Sequence, residues 1–114
     1  MTMQNSVILI TNNGMGQAET ALQLTLIGKY FELLLASADL PAAICFYTDG
    51  VKLVVQDSPV LSQLNMLEQK GVRLIICSTC LNYFGISDSV QTGIVGGMGD
   101  ILEAQIKADK VITL

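Results

Sequence analysis

The sequence contains no histidine and no tryptophan, and Arg73 is its one arginine. Without histidine the chain cannot build a Ser-His-Asp triad, a Cys-His pair or a metal site that contains histidine. A general base must therefore be a carboxylate, a lysine, a tyrosine or a thiolate. Six basic residues against ten acidic ones give a net charge of −4. This balance leaves no basic patch for nucleic acid and favours a small-molecule or protein partner.

Signals for export and for membrane insertion are also missing from the pattern. No basic stretch followed by a long apolar run opens the chain, so we predict no signal peptide. The longest apolar stretch, residues 21–38, carries Lys29 and Glu32 near its centre, and charges at that depth are costly in a bilayer. Three cysteines without a signal predict a cytoplasmic protein with functional thiols rather than a disulfide framework.

What the chain does have is length and apolar character. Its 114 residues suit one domain, and we expect a single domain over residues 1–114. Apolar residues make up 51% and charged residues 14%. The apolar share lies slightly above the usual one, which indicates that some apolar surface is covered by other copies of the chain.

Short apolar, β-rich runs alternate with helical stretches along the whole chain. Strands are predicted over residues 6–11, 42–47, 72–77, 92–95 and 111–114, and helices over 18–38, 58–71, 79–84 and from the 96–100 loop to about 107. Ser58 and Pro59 are typical of a helix start, and residues 51–55 predict a short strand or a loop packed over the site. The alternation implies an α/β fold, a three-layer sandwich with a five-stranded, mostly parallel sheet.

Cys77 and Cys80 stand where the third predicted strand ends and a short helix begins. Chemistry gathers at the carboxyl ends of strands in open α/β sheets, and a helix N-terminus favours the thiolate, which is the nucleophilic form. A zinc or iron–sulfur site needs about four ligands. Cys45, inside the second predicted strand, is the one further thiol, so we predict no metal. The open alternative is that both thiols are buried as small hydrophobes.

Loops that follow neighbouring strands are expected to wall the thiol pocket, because the carboxyl ends of parallel strands meet at one edge. The candidates are Asn12, Asn13 and Gly14 after the first strand, Tyr47 and Asp49 after the second, Ser78, Thr79 and Asn82 beside the thiols, and Gly97 after the fourth. Ser78 and Thr79 are candidates to cap the short helix or to donate to a thiolate.

Some of these candidates have a plainer interpretation. Asp49 would simply make an Asx turn, and Gly97 would either allow close approach of the backbone to the site or make a turn. The loop over residues 12–16 occupies the place of a phosphate-binding loop. It lacks the third glycine of G-x-G-x-x-G and has no G-K-[ST]. A tight turn with permissive glycines is therefore the favoured interpretation.

The segment Ile76–Gly85, ICSTCLNYFG, resembles the DsrE/DsrF/TusD-like sulfur-relay family, together with FYTDGV at 46–51 and GIVGGMG at 93–99. The similarity covers almost the whole chain and is greatest to the DsrE-like C-terminal domain of YedF-type proteins, described as sulfurtransferase-like and linked with selenium metabolism. It implies a DsrE-like, flavodoxin-like arrangement and homo-oligomers, trimers or hexamers. YedF-type proteins usually carry an N-terminal TusA-like domain, so we expect this chain to be a stand-alone version or a fragment.

The same resemblance implies roles for the two thiols. In TusD-like members the persulfide-carrying cysteine lies eight residues before the glycine of this segment, which is the position of Cys77 relative to Gly85. Cys80 fits the C-x-x-C form of the YedF-like branch, so both thiols are candidates for the sulfur carrier.

Residues and resemblance together predict a sulfur carrier or sulfurtransferase-like protein. A thiolate would attack a persulfide brought by a desulfurase or a TusA-like protein, hold the sulfur and pass it to an acceptor thiol. Cys80 would assist by hydrogen bonding, or release the sulfur by forming a disulfide. This chemistry calls for no metal and no organic cofactor. Two alternatives stay open: a non-catalytic oligomeric interaction module with buried thiols, and a small-nucleotide binder through residues 12–16.

Overall fold

Five strands and four α-helices alternate in the computed structural model, which describes residues 2–114. The strands are β1 (Ser6–Ile10), β2 (Ala43–Phe46), β3 (Arg73–Cys77), β4 (Ile94–Gly96) and β5 (Lys110–Thr113). The helices are α1 (Thr20–Ser37), α2 (Leu61–Gln69), α3 (Ser78–Phe84) and α4 (Met98–Lys107), and two 3₁₀ segments cover Thr48–Val54 and Ser87–Ser89.

The strands form one sheet in the order β4-β3-β2-β1-β5, and every neighbouring pair is parallel. The predicted α/β class and five-stranded sheet are therefore confirmed. The chain adds strands in one direction from β1 to β4 and then places β5 on the other side of β1. Flavodoxin has the order 2-1-3-4-5, so the flavodoxin-like description holds for the layers and not for the strand order.

Helices cover both faces of this sheet. Right-handed crossovers place α1 and α2 on one face, and they place α4 on the other because its connection crosses the sheet in the opposite direction. In keeping with this, α1 packs against α2, while α4 packs on β3 and β4. β1 and β2 are buried along their whole length, which explains why they are continuous apolar runs rather than alternating ones.

Helix α1 buries one apolar stripe and leaves another open. The residues that pack inward are Ile27, Phe31 and Leu34. Those that face outward are Leu22, Leu26 and Leu33, with 51%, 39% and 71% of their surface exposed. The inward stripe belongs to the hydrophobic core, and the second apolar stripe is uncovered in the single chain. Within residues 2–114 no helix is long and apolar enough to cross a membrane.

The segment between β2 and α2 differs from the prediction. Instead of a short strand or a loop, Thr48–Val54 forms a 3₁₀ segment, and Val51, Leu53 and Val54 are buried. Both edges of β2 are already paired with β1 and β3, so no free edge remains there for another strand. A single antiparallel bridge joins Val55 to Val90.

The start of α2 also differs from the prediction. The helix begins at Leu61 and not at Pro59, and Ser58 is not its N-cap. Instead, the Ser58 hydroxyl accepts a hydrogen bond of 3.3 Å from the Val60 backbone N–H. The Ser-Pro pair therefore shapes the turn that leads into the helix.

Candidate functional site

The thiol pair lies at the junction of β3 and α3, as predicted. Cys77 is the last residue of β3, keeps an extended backbone (φ −68°, ψ 114°) and caps α3. It is 1% exposed, whereas Cys80, in the first turn of α3, is partly exposed. The alternative of a buried thiol therefore applies to Cys77 and not to Cys80.

Thr48 connects the ends of three strands around Cys80. Its backbone N–H donates a hydrogen bond of 3.1 Å to Cys80 Sγ. Its hydroxyl lies 2.6 Å from the Thr11 carbonyl oxygen, just beyond β1, and 2.7 Å from that of Tyr47. The Thr48 backbone is left-handed (φ 48°), a conformation that is costly for a β-branched residue. The surrounding structure therefore holds this N–H against the sulfur.

The environment of Cys80 opposes its ionisation. Burial is the main cause that raises the pKa of Cys80, the Thr48 N–H lowers it, and hydrogen bonding and charge repulsion with the Cys77 thiol raise it. The charge of one thiol therefore disfavours the charge of the other. The net effect is that Cys80 is mostly protonated near neutral pH.

The third thiol, Cys45, lies within β2 and not at the junction of β3 and α3. It is fully buried inside β2 as part of the hydrophobic core, and burial raises its pKa to about 11. Within residues 2–114, no three Cys, Asp or Glu side chains are grouped closely enough to hold a metal ion.

An open pocket of about 330 Å³ lies in front of Cys80. It is lined by Thr48, Asp49, Thr79, Cys80, Tyr83 and Phe84. The Lys52 ammonium lies 2.8 Å from an Asp49 carboxylate oxygen and 4.5 Å from the centre of the Phe84 ring. Tyr83 is 85% exposed and meets the Phe84 ring edge-on, with centroids 5.5 Å apart. The exposed thiol therefore faces an apolar surface with an aromatic side chain at its rim.

Two of the predicted wall residues, Asp49 and Thr79, line this pocket. Asp49 forms the ion pair with Lys52 rather than the expected Asx turn. The expectation that Ser78 and Thr79 cap α3 is wrong, because Cys77 occupies the cap position and no side chain makes a capping hydrogen bond. Asn82 accepts a hydrogen bond of 2.7 Å from the Ser87 hydroxyl and so holds the turn that follows α3.

The loop of Asn12, Asn13 and Gly14 is not part of the pocket lining. The Gly14 N–H donates to the Asn12 carbonyl at 2.8 Å, and the Met15 N–H donates to the Gln23 carbonyl at 3.0 Å. Gly14 has φ 129°, and a side chain there would overlap Gln23. The loop is therefore a tight turn folded onto α1, and two N–H groups that a phosphate would need are already used.

Tyr47 and Gly97 contribute through their backbones. The half-buried Tyr47 accepts a hydrogen bond of 3.0 Å from the Gly50 N–H and so starts the 3₁₀ segment. Gly97 is the N-cap of α4, and its N–H donates to Asp100 at 2.9 Å. A side chain at Gly97 would meet no atom within 4 Å, which favours the turn over the close approach, whereas a side chain at Gly96 would lie 2.7 Å from the Asp100 carboxylate.

Four residues of the site were not predicted as such from the sequence: Thr48, Lys52, Tyr83 and Phe84. Thr48 belongs to the Thr-Asp-Gly turn signal after β2, and Lys52 lies three residues after Asp49, a spacing that suits a pair within one helical turn. Tyr83 and Phe84 lie within the cysteine segment itself. Their positions were visible in the sequence, but their convergence on Cys80 depends on the packing of α3 against the 3₁₀ segment.

The model of the DsrE/DsrF-like family matches residues 5–114. The chain therefore belongs to the DsrE/DsrF-like family, which is generally implicated in sulfur relay. No curated protein matches the chain.

Solved structures share the fold at low sequence identity. The ychN protein from E. coli superposes with a TM-score of 0.70 at 21% identity, covering 98% of this chain and 100% of that one. Protein MTH1491 of unknown function from Methanobacterium thermoautotrophicum gives 0.71 at 22% identity, covering 97% and 99%. Protein BT1422 of unknown function from Bacteroides thetaiotaomicron gives 0.67 at 16% identity, covering 96% and 95%. These similarities establish the architecture of the chain.

Proposed function

We propose that this chain is a persulfide carrier in which Cys80 receives the sulfur. The observation that carries the proposal is the partly exposed Cys80 thiol at the back of an open apolar pocket, with the Thr48 N–H on its sulfur. Membership of the DsrE/DsrF-like family supports the sulfur chemistry.

The choice of Cys80 departs from the role that the family resemblance gives to Cys77. A donor persulfide must reach the accepting sulfur along the line of the bond that breaks, so the acceptor must be accessible. Cys77 is 1% exposed and is not among the residues that line the pocket. Cys80 meets the access requirement without any movement of the backbone.

The transfer itself is a thiol–persulfide exchange. The Cys80 thiolate attacks the outer sulfur of a donor persulfide R–S–SH, the bond between the two donor sulfurs breaks, and R–S⁻ leaves. Because the pKa of Cys80 is raised, its proton must pass to the leaving donor thiolate or to water as the new bond forms. The Thr48 N–H then remains as a donor to the sulfur of Cys80. An acceptor thiolate completes the relay by attacking the outer sulfur in turn.

The sulfur donor, the location and the branch of the family are proposed from the sequence resemblance to YedF-type proteins. We propose a TusA-like protein or a cysteine desulfurase as the donor, a cytoplasmic location and a place in the YedF-type branch, with its link to selenium metabolism. We also propose self-association into trimers or hexamers. Its support is the outward stripe of α1 and the exposed apolar residues of β4 and α4, which are Ile94, Val95, Met98, Leu102 and Ile106.

The test is sulfur loading with a cysteine desulfurase and cysteine, followed by rapid alkylation and intact mass measurement. We expect the Cys77→Ala variant to gain one sulfur atom and the Cys80→Ala variant to gain none. Cys45→Ala is the matched control, since it removes a buried thiol outside the pair and leaves Cys80 loading unchanged.

Two other outcomes of the loading experiment would contradict the role proposed for Cys80. Loading of Cys80→Ala at the rate of the Cys77→Ala variant would move the carrier role to another thiol. No loading of any variant at the earliest times, with slow alkylation of Cys80 in the folded protein, would instead favour a non-catalytic interaction module.

A further inference from the structure

The two thiols have opposite surroundings although they lie close together in the sequence. Cys80 borders the open pocket, and Cys77 is 1% exposed, yet Cys77 is the N-cap of α3 and Cys80 lies in the first turn of the same helix. Cys77 therefore lies on the protein side of Cys80, away from the pocket lining. A sulfur atom delivered through the pocket would be bound on the front of Cys80, with Cys77 behind it.

We infer that this arrangement makes the chain a persulfide reductase, in which Cys77 expels the delivered sulfur from Cys80 as hydrogen sulfide. This inference rests on the proposed loading of Cys80. It adds an activity to the carrier role, because the sulfur would leave as free sulfide without an acceptor protein.

The step balances as a thiol–disulfide exchange. The Cys77 thiolate attacks Sγ of the Cys80 persulfide, a Cys77–Cys80 disulfide bond forms, the bond from Sγ to the outer sulfur breaks, and HS⁻ leaves into the pocket. The outer sulfur is reduced by two electrons, and the two cysteine sulfurs are oxidised together by the same amount. An external dithiol must then reduce the disulfide, and it would attack at Cys80, the sulfur that borders the pocket.

Geometry favours this outcome over movement of the sulfur to Cys77. Displacement at a sulfur atom requires the attacking and leaving atoms to lie on opposite sides of it, in line. A thiolate behind Cys80 and an outer sulfur in front of it meet that requirement at Sγ of Cys80. Attack on the outer sulfur would require Cys77 to reach past Cys80 into the pocket, whereas its backbone is held in the β3 ladder opposite Gly96.

The experiment loads the full chain with desulfurase and cysteine, removes both, and follows the protein by intact mass without reductant while sulfide is measured in solution. We expect the wild type to lose its added sulfur, release one sulfide per chain and end two hydrogens lighter than the reduced protein. Peptide mapping should locate the new disulfide between Cys77 and Cys80. We expect Cys77→Ser to keep the persulfide and to lose sulfide release.

Cys45→Ala is the control, and we expect it to release sulfide as the wild type does. Addition of a dithiol to the oxidised wild type should restore its mass and permit a second round of release. If the wild type holds its persulfide as long as Cys77→Ser does, the inference is overturned and the carrier function stands. If neither protein loads, the proposed function fails first. The wild-type measurement decides between these outcomes even if a variant does not fold.

Discussion

Two residues separate Cys77 from Cys80 in the sequence, and the two thiols differ in burial. Cys77 belongs to the sheet and Cys80 to the first turn of α3. A thiol in the core is shielded from molecules in solution, whereas a thiol at a pocket can meet them. At the residue scale, access is what distinguishes the two thiols, and the proposed roles of Cys80 and Cys77 rest on it.

Alkylation by iodoacetamide should therefore modify Cys80 first in the folded protein. We expect Cys77 and Cys45 to react only at the rate of local or global opening, because both are buried. The thiolate is the reacting form, and the pKa of Cys80 is raised. The rate at Cys80 should therefore be low near pH 7 and increase as the pH rises through and beyond the ordinary thiol range. Peptide mass spectrometry across pH measures each thiol, and equal rates for Cys77 and Cys80 would contradict the assignment.

Thr48→Val tests the hydroxyl that joins the ends of β1 and β2. Valine keeps the shape but removes the donor to the Thr11 carbonyl, so we expect a loss of about 1–2 kcal/mol in the free energy of unfolding. Thr48→Ser retains the hydroxyl and should lie close to the wild type. Urea unfolding of the three proteins measures the difference, and a valine variant as stable as the serine variant would contradict this role of the hydroxyl.

At the scale of elements, the 3₁₀ segment Thr48–Val54 is the part of the fold that places the Thr48 N–H. Gly50 lets this segment lie directly on β1, since a side chain at this position would overlap the Ile10 carbonyl oxygen. The segment also packs against α3. The position of the pocket therefore depends on a backbone-to-backbone approach between β1 and the residues that follow β2.

Gly50→Ala should consequently disturb both stability and the thiol. Because the clash is with backbone atoms, we expect a loss of roughly 3 kcal/mol or more in the free energy of unfolding. Cys80 should also be alkylated at a changed rate as the Thr48 N–H moves away from it. Gly99→Ala is the matched control: Gly99 lies in α4, an added methyl group there meets no atom within 4 Å, and alanine favours the helix by about 0.5–1 kcal/mol. Calorimetry of both variants gives the comparison, and equal stability would refute the role of Gly50.

At the scale of the molecule, exposed apolar surface is concentrated in separate places. α1 presents Leu22, Leu26 and Leu33, and the edge strand β4 with α4 presents the second surface. On α4 these residues recur every four positions, as Met98, Leu102 and Ile106, which is the spacing of a helix face. A row of exposed apolar side chains along one helix face is typical of an interaction site.

Leu102→Glu combined with Ile106→Glu should therefore shift the assembly toward smaller species without unfolding the chain. The two side chains are 54% and 73% exposed, so a carboxylate meets water in the monomer and is buried without a partner in a complex. Gln105→Glu adds negative charge to the same helix and keeps the apolar face, which makes it the control. Sedimentation velocity at several concentrations measures the distribution, and a wild type that stays monomeric throughout would overturn the proposed association.

Much of the architecture could be predicted from local pattern. Apolar runs with β-branched residues marked the strands because parallel strands are buried on both sides, and Gly85 marked the end of α3, where it adopts φ 68°. The segment after β2 was mispredicted since its apolar residues satisfy a strand and a packed 3₁₀ segment equally well. The strand order excludes a further strand beside β2, because both edges of β2 are already paired.

By itself the sequence determined the α/β alternation, the position of two thiols at a strand end, the family and the absence of any histidine-based chemistry. These are properties of residue identity and of neighbours along the chain. Only the tertiary structure decided that Cys77 is buried and Cys80 is open, and that the Thr48 N–H meets a sulfur 32 residues away. Burial and such contacts depend on which strands lie side by side, and strand order joins residues that no local pattern relates.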